Sequence, residues 1–387
     1  MIRPTTRTSP AAARYRRSDL SHSPMLVFYE LTQACDLVCQ HCRACAQAAP
    51  RPEELSTEQS KRLIDQLTEF PKPPMLVLTG GDPLKRADVF SLVEYATDAG
   101  LEVSITPSAT PLVTRDVITR LRDAGIVRLA VSIDGANAET HDAFRGVAGS
   151  FAHSLQILQW TRDAGISTQV NTTVSPVNVE QLDHLADLLA GFGISLWSVF
   201  LLVPVGRAAL SPRLTPDEYE QLFERLWHHS QCQPYLIKTT EAPHYRRFAL
   251  RRATESPENA ANKRAARFVS VGVNDGRGVM FVGHTGTILP SGFLPVPCGR
   301  FPQDHVVDIY QNSPTFHALR DADRLEGKCG VCEFRQICGG SRARTFAVTG
   351  SLFAAEPDCS YEPKVGRALS SVAAETGRTA RPTTDDE

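Results

Sequence analysis

The chain has 387 residues, room for a barrel of roughly 200 to 250 residues plus one smaller unit, so a core forms without covalent staples. With 41 Lys+Arg against 43 Asp+Glu, its charge is nearly balanced, which argues against nucleic acid or an anionic membrane surface as a partner. No apolar run reaches the ~18 residues of a membrane span, and nothing resembles the apolar core of a secretory signal, so a cytoplasmic protein is expected.

Residues 1–23 carry several arginines and almost no acid, and read as a disordered arm; a transit sequence is the alternative in an organellar setting. From Met25 onward, short β-branched or apolar runs alternate with amphipathic stretches, the pattern of βα units around a parallel sheet. Strands are predicted at 25–31, 75–80, 101–107, 127–134, 167–174 and 195–204. A helix is predicted over 56–70, where Ser56 and Gln59 have the spacing of a capping box. These six units predict an α/β fold over 24–250, either an open sheet or a partial TIM-like barrel.

The punctuation between these units falls on one side. A cysteine-rich segment follows the first strand, "TGGDP" (79–83) the second, "TPSAT" (106–110) the third, "SIDG" (132–135) the fourth and "NTT" (171–173) the fifth. Parallel α/β sheets carry their sites at the strand C-terminal ends, so all five converge on one rim. After "PVGRA" comes a helix at 214–231, then a polar charged linker at 251–267. Short strands and turns over 268–362 precede a disordered tail, 363–387.

Ten cysteines without an export signal point to metal rather than disulfides, because a reducing compartment keeps thiols free. Cys35, Cys39, Cys42 and Cys45 form one group and Cys329, Cys332, Cys338 and Cys359 another, with Cys232 and Cys298 apart. Four thiolates suit a structural zinc site. Zinc sites, however, usually join two separated pairs, whereas the first group occupies one short loop. The alternative is an iron–sulfur cubane, and if only three cysteines bind, one iron stays open to a ligand.

The spacing Cys35-x3-Cys39-x2-Cys42 on a loop after strand one is similar to that of the radical S-adenosylmethionine (SAM) superfamily. The resemblance implies a six-unit partial barrel, a [4Fe–4S] cluster and SAM bound at its open iron. It makes Cys45 a non-ligand. "TGGDP" looks like the family's Gly-Gly-Glu-Pro segment with Asp82 in the acid's place, so Gly80, Gly81 and Asp82 are expected near the methionine amino group of SAM. "SIDG" followed by "HDAFRG" (141–146) resembles the fourth-strand segment, implying Ser132 beside SAM, with Asn171 a weaker candidate. His41 occupies the position that commonly flanks adenine in this family.

The second group resembles the SPASM extension of radical SAM enzymes, implying a small auxiliary-cluster domain ligated by Cys329, Cys332, Cys338 and Cys359. Ser291 and Ser341 stand where two cysteines of the full extension are expected, so two clusters in total are implied, with Cys298 a substitute ligand. Zinc is again the alternative.

By resemblance, one electron from the first cluster cleaves SAM to a 5′-deoxyadenosyl radical that abstracts hydrogen from the substrate. An external donor such as flavodoxin or ferredoxin is implied. Cys329 to Arg344 resembles radical SAM enzymes of heme d1 and alternative heme biosynthesis, which act on tetrapyrrole propionates. Arg207, His244, Arg246, Arg247, Arg342 and Arg344 are candidate cations for such carboxylates, arginine being suited to bidentate pairing. Maturation of a ribosomally made peptide is the competing reading. It is weakened because the barrel begins by about residue 25, leaving no space for an N-terminal peptide-recognition domain. A non-catalytic iron–sulfur electron carrier or sensor is the reading of another class; it predicts four thiolates at both sites and no SAM binding.

Overall fold

The computed structural model describes residues 15–255 and 272–364. Seven strands, β1 (Leu26–Glu30), β2 (Met75–Thr79), β3 (Val103–Ile105), β4 (Arg128–Ser132), β5 (Ser167–Val174), β6 (Leu196–Leu201) and β7 (Leu236–Thr240), lie parallel in chain order. The helices between them are α1 (Thr57–Thr68), α2 (Val89–Asp98), α3 (Arg115–Asp123), α4 (Ala138–Arg145), α5 (Ser150–Asp163), α6 (Leu182–Ala190) and α7 (Pro216–Cys232); α8 (His244–Glu255) follows β7. The capping box opens α1 as expected: Gln59 N–H donates to Ser56 Oγ (3.2 Å) and Ser56 N–H to Gln59 Oε1 (2.9 Å).

The helices bury one apolar stripe each against the sheet: Leu63, Ile64 and Leu67 of α1, Leu92 and Val93 of α2, Leu222, Phe223 and Leu226 of α7. Strand β5 shows how the two faces divide. Thr168, Val170, Thr172 and Val174 are buried, while Ser167, Gln169, Asn171 and Thr173 on the opposite face are only half-buried. Asn171 and Thr173 reach the rim cavity described below.

Three expectations need correction. The sheet has a seventh parallel strand where six were predicted: β7 is short and holds Lys238 and two threonines, so its sequence lacks the apolar run that marks a buried strand. The boundary near 250 divides no sheet, because β8 (Val279–Val282) pairs in parallel with β1. Strands β9 (Thr287–Leu289) and β10 (Gly299–Arg300) then extend the same sheet antiparallel. Adding β8 gives partners to the backbone groups of β1 that an edge would leave unpaired. Residues 15–23 of the arm are ordered: Tyr15 Oη donates to Pro24 O and Lys72 O, both at 2.9 Å, and Leu20 is 1% exposed beneath Tyr310 and Gly278. The rest of the expected arm (1–14), the linker after Glu255 and the tail from 365 lie outside the described residues.

Helices α9 (Val306–Asn312) and α10 (Pro314–Arg320) lead to a helical turn, Gly327–Gly330, and to α11 (Arg342–Thr349), which frame the second cysteine group. Among the described residues, no helix is long and apolar enough to cross a membrane.

Candidate functional site

The loop leaving β1 closes on itself. Cys35 N–H donates to Gln47 O (2.7 Å) and Gln47 N–H to Gln33 O (3.0 Å), so it starts and ends at one point of the rim. Three segments then grip it. From β2, Gly81 N–H donates to Thr32 O (2.8 Å) and Asp82 N–H to Ala34 O (2.7 Å). A Cβ on Gly81 would stand 2.3 Å from Ala34 O, so this approach requires glycine.

From the segment after β6, Arg207 N–H donates to Cys42 O (3.0 Å) and its guanidinium to Cys39 O (3.2 Å) and Ala46 O. From α4, the last carbonyls of the helix, otherwise without partners, accept from Gln40: Phe144 O from its N–H and Ala143 O from its side chain, both at 3.1 Å. The His41 ring stacks on Phe144 with centroids 4.3 Å apart. Burial drives His41 down to about 4, so the ring is neutral near pH 7 and its approach to Asp134, 3.9 Å, is not an ion pair.

Held in this way, Cys35, Cys39 and Cys42 line a cavity of about 220 Å³. Its walls come from the C-terminal ends of the strands: Gly80 and Gly81 after β2, Ser108 after β3, Ser132 of β4, Asn171 of β5 and Phe200 to Val203 at β6, with Phe293 opposite. His41 lies on the same wall. Cys45 does not; it is exposed and has a left-handed backbone, φ 47°. Each lining sulfur has a hydrogen-bond contact. Cys35 Sγ accepts from Leu37 N–H (3.3 Å) and lies 3.3 Å from Ser108 Oγ, Cys42 Sγ accepts from Ala46 N–H (3.4 Å), and Cys39 Sγ faces Arg145 Nη1 at 3.8 Å.

Below the loop, Glu30 is buried between Arg43 (2.9 Å) and His284 Nδ1 (2.5 Å). Burial opposes its charge, yet Arg43 and His284 outweigh burial and bring its pKa down to about 2. This group ties the cysteine loop to the β8–β9 turn.

Several expected contacts are not made. Asp82 has no place on the cavity wall: its carboxyl is buried, accepting from Leu84 N–H, Ser108 N–H and Thr110 Oγ1 (2.8 Å), and burial raises its pKa. Its side chain holds a turn. Arg207 has its guanidinium on loop carbonyls rather than free for a carboxylate. Arg246 donates to Ile337 O (3.2 Å) and Val273 O (2.5 Å), and Arg342 to Leu352 O and Ala354 O. Arg247 pairs with Glu220 and Arg344 with Glu356. With His244, these six lie off the wall of the first cavity. The cations on that wall are Arg43 and Arg145, neither of which the sequence singled out as a site residue.

The second cysteine group lines a smaller cavity of about 30 Å³, with Cys329, Cys332, Cys338 and Cys359 around it and His244 in the wall. Neither ring nitrogen of His244 has a hydrogen-bond partner, and burial lowers its pKa to about 3. Burial pushes the Cys338 thiol up to about 12. Backbone amides face two sulfurs, Glu356 N–H to Cys329 Sγ (3.3 Å) and Gly340 N–H to Cys338 Sγ (3.4 Å). Cys298, offered as a substitute ligand, packs on the main core instead and is absent from this wall. Ser341 caps α11, accepting from Arg344 N–H (3.0 Å), and donates to Glu241 Oε2 (2.5 Å); Ser291 accepts from Phe293 N–H (3.3 Å).

Among the described residues, no three His, Cys, Asp or Glu side chains stand close enough for a single metal ion.

An α/β rim with three gathered cysteines defines a class, and residues 29–189 match the Radical SAM superfamily. The chain belongs to this superfamily, whose members use SAM and a [4Fe–4S] cluster. It is 39% identical over 345 residues to the AdoMet-dependent heme synthase of Methanosarcina barkeri (strain Fusaro / DSM 804), covering 89% of this chain and 98% of the relative. Identity to the AdoMet-dependent heme synthase of Oleidesulfovibrio alaskensis is 38% over 353 residues, 89% of each chain. Among solved structures, Streptococcus suis SuiB bound to S-adenosylmethionine superposes with a TM-score of 0.68 at 16% identity, over 88% of this chain and 78% of that one. That likeness concerns the fold.

Proposed function

We propose that the chain is a radical SAM enzyme of heme-type biosynthesis that acts on a tetrapyrrole. Cys35, Cys39 and Cys42 hold the [4Fe–4S] cluster, and Gly80, Gly81, Ser132, Asn171 and His41 receive SAM. When bound, the cluster supplies one low-potential electron for cleavage of SAM to the 5′-deoxyadenosyl radical. Cys329, Cys332, Cys338 and Cys359 hold an auxiliary cluster. The sheet acts as the partial barrel, and a reduced flavodoxin or ferredoxin delivers the electron.

The supporting observation is the cavity itself, in a chain that matches a heme synthase over 98% of that relative's length. Three thiols occupy one side of it and the apolar surfaces of Phe200, Leu202, Val203, Val205 and Phe293 another. Such a wall suits a flat conjugated ring and excludes water from a reactive carbon. Gly80 and Gly81 at the β2 end let the cysteine loop lie directly against the cavity wall, and neutral His41 presents a flat face held by Phe144.

The test is anaerobic reconstitution with iron and sulfide, followed by dithionite, SAM and the tetrapyrrole pool extracted from heme-deficient cells. The expected result is 5′-deoxyadenosine and heme formed together. SAM cleavage that responds to a peptide and never yields heme would favour peptide maturation, and an iron-loaded protein that leaves SAM intact would favour the carrier or sensor.

A further inference from the structure

The segment "HDAFRG" is explained only in part by packing. Asp142 accepts from Gly149 N–H and Phe151 N–H (both 2.7 Å), and so joins α4 to α5. His141 Nδ1 accepts from Asp134 N–H (3.1 Å). Gly146 ends α4 in the left-handed region, φ 72°, where a Cβ would stand 2.6 Å from the Val38 side chain. Arg145 has none of these duties. Its side chain turns to the cavity wall, with Nη1 3.8 Å from Cys39 Sγ and the other branch on the Asp134 carboxylate.

Both partners are shielded, Arg145 at 13% and Asp134 at 0% side-chain exposure. Asp134 is itself anchored, Oδ1 accepting from Thr173 N–H of β5 (2.7 Å). The guanidinium is therefore fixed between a carboxylate and a sulfur. Among the described residues, the other hydrogen-bond contacts to a cysteine sulfur of either group come from backbone amides or a hydroxyl, so the guanidinium contact is peculiar to Cys39; Arg247 and Lys328 act on Cys359, and Arg246 on Cys338, through charge without such a contact.

We propose that Arg145 is a positioning residue that sets the reduction potential of the cluster held by Cys35, Cys39 and Cys42, with Asp134 as its counterweight. The proposal rests on the cluster assignment above. A reduced cluster carries one more negative charge than its oxidised form, and a cation beside a ligating sulfur in a shielded site stabilises that charge. The electron comes from the added reductant, and Arg145 stays protonated and exchanges no proton. Asp134 opposes the effect, and with Arg145 removed its charge faces the cluster unbalanced.

The experiment is a dithionite-poised redox titration of reconstituted protein followed by electron paramagnetic resonance, with wild type, Arg145→Lys, Arg145→Gln and Asp134→Asn compared at equal iron content. Arg145→Gln is expected to shift the reduction equilibrium against the reduced cluster by about tenfold, equivalent to ~59 mV for one electron. Arg145→Lys, which keeps the charge but loses the fork, shifts it less in the same direction. Asp134→Asn shifts it the opposite way. A merely structural role would lower iron loading without this reversal of sign. Equal potentials in all four loaded proteins overturn the proposal alone. A wild-type protein that forms no reducible cluster overturns the assignment on which it rests as well.

Discussion

The two cysteine groups differ in what surrounds them. The N-terminal group lies on a loop gripped by β2, by the segment after β6 and by α4, and opens on a cavity of about 220 Å³ walled by strand ends. The C-terminal group surrounds about 30 Å³ with four cysteines, side chains of the same segment, and His244 and Arg247 of α8. The first cavity is several times larger than the second. Residue type is alike at the two, while the second group is spread over a longer stretch of chain; the difference in surroundings comes from the sheet, whose rim supplies walls for the first site and none for the second.

Substitutions test this contrast, and the largest effect is expected from the cysteines. Cys39→Ala removes a ligand of the open site: 5′-deoxyadenosine formation is lost and iron falls from about eight to about four per chain. Cys338→Ala lowers iron by a similar amount, but SAM still perturbs the remaining cluster. Iron analysis and SAM titration of the two variants side by side check the assignment, and equal loss of SAM response in both would erase the contrast.

Next comes Glu30, the buried carboxylate that joins the cysteine loop to β8 and β9. Glu30→Gln leaves Arg43 without its charged partner and is expected to destabilise the protein at pH 7 by about 3 to 5 kcal/mol, read from denaturant midpoints. The folded-state pKa of Glu30 lies near 2, below the ordinary carboxylate value, so its contribution is fully present above that ordinary value. It is lost as the pH falls toward 2. The gap between wild type and variant therefore narrows only in that acid window, and a gap that closed nearer neutrality would contradict the role given to the pair.

Gly81→Ala places a methyl group where Ala34 O already stands. The expected cost is about 1 to 3 kcal/mol, with slower iron uptake at the first site and normal uptake at the second. The smallest effect is expected at Cys45, which is exposed and off the wall. Cys45→Ser should leave iron content and SAM cleavage unchanged, with stability within about 0.5 kcal/mol.

What was legible in the sequence is what is local. The Cys35-x3-Cys39-x2-Cys42 spacing, the strand at 167–174 and the Ser56–Gln59 cap depend on neighbours a few residues apart, and each can be seen in the chain alone. The partners of arginines cannot. Arg207 and Arg145 are alike in sequence, yet one guanidinium grips carbonyls and the other reaches a sulfur, because segments 106 to 168 residues apart meet at the rim. Asp82 shows the same limit: its motif was readable, while the buried turn that engages its carboxyl depends on Ser108 and Thr110 from the loop after β3. Strand β8 was missed as part of the main sheet because nothing in four residues states which distant strand they will pair with.

The central claim is that the cluster held by Cys35, Cys39 and Cys42 keeps one iron open to SAM. Its most direct measurement is the electron paramagnetic resonance spectrum of the reduced Cys338→Ala protein, without and with SAM. The account predicts that SAM changes the signal, and that Cys45→Ser added to this background leaves the change intact. A spectrum indifferent to SAM, with its fourth iron ligated by Cys45, would contradict it.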